Sequence, residues 1–191
     1  TLSYDDRNGY ITKITDALGQ VAENTYDLSG NLTKTTYPVG TSTNTTYDRM
    51  GHVLSYTDEA GQTSTYTYDA IGNKLTETIG NRTTTYTYDA AGNITQLTYP
   101  DKKSVTYTYD AMGNVISFTD AKGKETTYEY SPAGRLISTV DSLGQKTSMT
   151  YDANGNQNSV TDAAGYTASS SYNGQNQVSQ VTDGLGNVTE F

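Results

Sequence analysis

Three kinds of side chain in this sequence could carry chemistry: a histidine, recurring aspartates and a large set of tyrosines. His52 is the only histidine, and it follows Gly51 in a slot that holds Asn31, Asn73, Asn93 and Asn114 elsewhere. A general base or metal ligand needs partners to orient it, so His52 reads as a polar turn-exit residue. The aspartates Asp69, Asp89 and Asp110 would form a carboxylate row if successive turns line one edge of a sheet. At roughly 9.6 Å apart, two of them cannot share one calcium ion directly, so turn capping explains them better. Serine and threonine are abundant, yet none has a base beside it in a nucleophilic arrangement. The paired-tyrosine positions Tyr66, Tyr86, Tyr107 and Tyr128 are candidate glycan contacts, because aromatic faces stack on sugars, although strand packing accounts for them as well. With no cysteine in the chain, disulfides, thiolate metal sites and a cysteine nucleophile are excluded. The expectation is a non-enzyme without cofactor or metal.

Something must position these residues, and it is not a conventional core. Leu, Ile, Val and Phe supply only 29 of 191 residues and the formal net charge is −9, a composition that by itself suggests disorder. Only 12 Lys and Arg are present, too few for a nucleic-acid or anionic-lipid footprint, and no apolar run is long enough for a membrane helix. Thr (35), Tyr (18) and Gly (18) dominate instead, which is the balance of strands and turns.

An internal repeat organises them. A Tyr-Asp-x-x-Gly pattern recurs at Tyr26-Asp27 to Gly30, Tyr47-Asp48 to Gly51, Tyr68-Asp69 to Gly72, Tyr88-Asp89 to Gly92, Tyr109-Asp110 to Gly113 and Tyr151-Asp152 to Gly155. Tyr4, Tyr130 and Tyr172 open variants of it, and the period is about 21 residues. A second turn signal follows ten residues later, as in Thr57-Asp58-Glu59-Ala60-Gly61. Asp followed three residues on by Gly fits a type I turn closed by a left-handed glycine. Asn176 and Lys102 occupy two glycine slots, the lysine at a cost of about 1 kcal/mol if left-handed. Gly80-Asn81 reads as a two-residue hairpin loop of type I′ or II′.

Between turns the pattern has period two, so Tyr66 and Tyr68 share one face and Thr63, Thr65 and Thr67 the other. The return strand carries an aliphatic residue and, three further on, another apolar one, as Val53 and Tyr56 or Val115 and Phe118, with opposite parity. Either both faces bury something or bulges reset the register. The fold class is therefore all-β: tandem antiparallel β-hairpins of period about 21 forming a curled sheet, spiral shell or tube, about 18 strands and on the order of 85 Å wide. Residues 1–191 read as one array of about nine repeats, stabilised between neighbours and cut at both ends from a longer protein.

The unit Gly61-Gln62-Thr63-Ser64-Thr65-Tyr66-Thr67-Tyr68-Asp69-Ala70-Ile71-Gly72-Asn73 resembles the YD repeat of the Rhs (recombination hot spot) proteins, insecticidal toxin complexes, wall-associated bacterial proteins and teneurins. The resemblance spans the whole chain. It implies hairpins spiralling into a hollow shell that, in toxin members, encloses a C-terminal toxic domain. It also implies a secreted or surface-displayed, bacterial setting, with neighbouring repeats and an encapsulated toxin or surface glycans as partners. The alternative it carries is an adhesin or glycan-binding fibre.

Overall fold

The computed structural model describes residues 1–6 and 8–191. The described residues form strands and turns, with no helix among them. The chain separates into two compact units, residues 1–88 with 97–102 and residues 89–96 with 103–191.

In the first unit the strands are β1 (Leu2–Tyr4), β2 (Ile11–Thr15), β3 (Val21–Tyr26), β4 (Leu32–Thr36), β5 (Ser42–Tyr47), β6 (Val53–Thr57), β7 (Thr63–Tyr68), β8 (Lys74–Ile79) and β9 (Arg82–Tyr88). Each pairs antiparallel with its neighbour in sequence. Strand β10 (Ile94–Thr98) is divided between the units. The second unit repeats the meander with β11 (Ser104–Tyr109), β12 (Val115–Thr119), β13 (Glu125–Tyr130), β14 (Leu136–Val140), β15 (Lys146–Tyr151), β16 (Gln157–Thr161), β17 (Thr167–Tyr172), β18 (Val178–Thr182) and β19 (Val188–Glu190). Within each unit the strand contacts are between consecutive strands. Each is thus a single antiparallel layer, and among the described residues only Val105 and Ser138 are buried, at 7% and 3% exposed.

The turns adopt the geometry that their residues dictate. The Asp69 N–H donates to the Asn73 carbonyl at 2.9 Å, the Gly72 N–H donates to the Asp69 carbonyl at 3.2 Å, and Gly72 sits at φ 95°. Asn176 and Lys102 take the same left-handed conformation, at φ 59° and 68°. Gly80 has φ 61° while Asn81 is not left-handed, which selects type II′ for the two-residue loop.

The parity question resolves in favour of bulges. Tyr47 pairs with Val53 but Thr46 pairs with Ser55 and Thr45 with Tyr56, so Leu54 is an extra residue. Val53 and Tyr56 therefore lie opposite alternate residues of β5 and share its tyrosine face. The same shift follows Tyr26, Tyr68, Tyr109, Tyr130, Tyr151 and Tyr172. One face collects the tyrosines and most aliphatics. The other is a hydroxyl ladder, with cross-strand pairs such as Thr46 with Ser55 (2.6 Å), Thr67 with Thr76 (2.7 Å) and Thr161 with Thr167 (2.8 Å).

Candidate functional site

The repeated Tyr-Asp-x-x-Gly box sets a carboxylate beside an amide or imidazole, and its polar atoms are hydrogen-bonded. Oδ1 of Asp27, Asp48, Asp69, Asp89, Asp110 and Asp152 accepts the backbone N–H two and four residues on, at 2.8–3.0 Å. Oδ2 accepts the side-chain amide of Asn31, Asn73, Asn93, Asn114 or Asn156 at 2.9–3.0 Å. The donated amide, followed by the backbone N–H groups, holds the Asp27, Asp89 and Asp110 carboxyls below their ordinary range. In Asp48 the same role falls to His52, whose Nδ1 lies 2.8 Å from Oδ2 and lowers that carboxyl.

The box tyrosine works between repeats. Pairing of β6 with β7 runs only from Thr57/Thr63 to Ser55/Thr65, so the two strands part towards the Tyr68 turn. The Tyr68 ring fills that wedge, and its hydroxyl donates to the Val53 carbonyl at 2.9 Å. Tyr26, Tyr47, Tyr88, Tyr109, Tyr151 and Tyr172 donate likewise to Ile11, Leu32, Lys74, Ile94, Leu136 and Gln157, at 2.7–2.9 Å. Burial raises the phenol pKa of Tyr68, Tyr88 and Tyr109, so each remains a donor across the physiological range.

In three turns at the Tyr-Asp edge the residue after the glycine is a ring or a guanidinium in place of asparagine, and each lies over the next repeat's box tyrosine. Tyr10 packs on Tyr26 (4.9 Å between centroids), His52 stacks on Tyr68 (4.8 Å, 24°), and the Arg135 guanidinium lies 5.8 Å from the Tyr151 ring. The pattern had shown His52 only as an odd residue in an asparagine slot. Tyr10 and Arg135 in the same slot are the signal that a flat group is accepted there.

Of the four candidate glycan contacts, Tyr66 and Tyr86 flank the Lys74 ammonium at 5.6 and 4.8 Å from their centroids. Lys74 pairs with Glu77 at 2.7 Å, and Tyr86 donates to the same carboxylate at 3.3 Å. Tyr107 packs on Phe118 at 5.1 Å and beside Tyr109 at 6.5 Å, and Tyr128 lies half-buried opposite Thr139. Sequence patterning missed the Lys74–Glu77 pair, which replaces the aliphatic–apolar couple of other return strands. Among the described residues no group of three or more His, Asp or Glu is placed to hold a metal ion. The arrangement spends its polar groups on the chain's own backbone and turns.

Comparison with known proteins identifies the family. The teneurin YD-shell family model matches residues 1–126, and the RHS repeat model matches residues 109–146 and 130–167. The chain belongs to the YD-shell family. No curated protein matches it in sequence. Among solved structures, this YD-shell segment superposes on TcdB2-TccC3-Cdc42 with TM-score 0.68 at 15% identity, over 94% of this chain and 12% of that one. It superposes on TcdB2-TccC3 without its hypervariable C-terminal region with TM-score 0.60 at 19% identity, over 95% and 13%. A Photorhabdus luminescens Tc holotoxin pore gives 0.58 at 16%, over 95% and 13%. At such identities the likeness is one of fold, and the segment spans about an eighth of those chains. It is a shell-type repeat segment with a structural role.

Proposed function

We propose that this segment is non-catalytic wall in a hollow β-shell of a secreted or surface-displayed bacterial protein, and that the shell encloses a polypeptide toxin domain. The observation that carries the reading is that each unit is one sheet layer whose potentially reactive groups are spent on its own turns and inter-repeat bonds. Such a layer separates two compartments without needing a core of its own. The fold shared with Tc toxin complexes supports a shell over a fibre. Glycan recognition, as an adhesin would need, requires free aromatic faces, and Tyr66 and Tyr86 are turned to Lys74 instead. Electron cryo-microscopy of the full-length protein tests the proposal. A closed hollow particle with density inside is the expected image, and an extended tube or fibre would sink the shell reading.

A further inference from the structure

Along the edge away from the Tyr-Asp turns, the regular four-residue turn with its aspartate is interrupted twice in succession. Gly80-Asn81 closes β8 to β9 with two residues, pairing Ile79 with Arg82, and the following turn begins with Tyr99 and Pro100, which replace the aspartate as Tyr37 and Pro38 do in an earlier turn of this edge. The missing turn length leaves a concavity of about 360 Å³ lined by Glu77, Ile79, Arg82, Thr84, Tyr99 and Pro100. Ile79 and Tyr99 are 37% and 42% exposed in it.

The one carboxylate within these two turns, Asp101, is followed directly by Lys102 and Lys103. Both turn-capping aspartates are absent, and Glu77 is already neutralised by Lys74 and bonded to Tyr86. Arg82 has no carboxylate partner among the described residues. A guanidinium beside two exposed apolar side chains offers N–H donors to a carboxylate that has an apolar neighbour. The volume accommodates one or two side chains, at the small end of ligand sites. We propose that this notch docks an extended polypeptide presenting an acidic side chain next to an aromatic or aliphatic one. The inference stands independently of the shell reading, because it rests on the two irregular turns alone.

Fluorescence anisotropy on the full chain tests it, with labelled Ser-Gly-Glu-Phe-Gly-Ser peptide as probe and the Gln-Phe and Lys-Phe versions as controls. The expected result is saturable binding with a Kd on the order of 1 mM, weakened at least about tenfold by Glu→Gln in the peptide or by Arg82→Ala in the protein. Arg82→Lys should retain part of it, and salt should weaken it. Arg82→Ala should keep the parent melting curve, since the residue is exposed and unpaired. Absence of saturation, equal binding of the Lys-Phe peptide, or binding indifferent to Arg82→Ala would each overturn the proposal. So would self-association of the chain that Arg82→Ala abolishes, which would make the occupant a second copy.

Discussion

Glycine in the Tyr-Asp turns answers two separate demands, and Gly72 shows both. Its φ of 95° is left-handed, which costs an L-residue about 1 kcal/mol or more. A Cβ there would also lie 2.8 Å from Nε2 of His52, a ring pinned by Asp48 and by stacking on Tyr68. At Gly51 the corresponding neighbour, Asn31 Oδ1, is 4.0 Å away. Gly72→Ala should therefore lower thermal stability more than Gly51→Ala, and His52→Asn should recover the difference in a double-mutant cycle. Equal losses at the two glycines would remove the steric half of the account. The aspartates make a pH prediction at the same scale. Asn and backbone donors depress the folded pKa of Asp27, Asp89, Asp110 and Asp152, the Asn side chain being the largest cause. Their contribution is whole above the unfolded value of about 3.9 and is lost as pH falls through the lower folded values. Melting temperature should be level through neutral pH and drop on acidification below about pH 4; a level profile down to about pH 2 would contradict the capping role.

Between elements, the decisive bond is the tyrosine hydroxyl to a carbonyl fourteen or fifteen residues back. Tyr68→Phe keeps the ring in its wedge but leaves the Val53 carbonyl without that donor, and should cost about 1 kcal/mol in urea unfolding. A change at Tyr47 should add to it nearly independently, because each bond joins a different pair of strands. No loss in the Tyr47/Tyr68 double Phe variant would mean that the ring alone does the work. This bond marks the limit of what the sequence discloses. Asp-x-x-Gly turns are legible because donor, acceptor and left-handed residue all lie within five positions, and the two faces are legible because strand parity is local. The register shift at Leu54 is not, since Val53 and Tyr56 look contradictory until their partners on β5 are known. The Lys74–Glu77 pair and the stack of His52 on Tyr68 likewise depend on which strands lie side by side, information that period and composition do not contain.

At the scale of the molecule, stability resides in interfaces between consecutive hairpins, because within each unit no strand touches one that is not next to it. A chain of that kind should tolerate loss of a complete repeat far better than loss of half of one. Deleting Asp48 through Tyr68 joins Tyr47 directly to Asp69, which restores the Tyr-Asp box, keeps every strand's direction and presents Asn73 to the turn as before. The tyrosine staples on either side of the junction, Tyr47 to Leu32 and Tyr88 to Lys74, would both be kept. Deleting only Asp58 through Tyr68 instead joins β6 to the next Tyr-Asp turn, so every later strand would have to reverse its direction relative to the strands before the deletion, and the later Tyr-Asp turns would move to the other edge. The whole-repeat deletion should keep the circular dichroism of a β-sheet and unfold cooperatively, with a urea m-value reduced in proportion to the length removed. The half-repeat deletion should aggregate or lose cooperativity. If both variants unfold alike, long-range contacts beyond neighbouring hairpins must hold the array, and its description as a nearest-neighbour wall would fail.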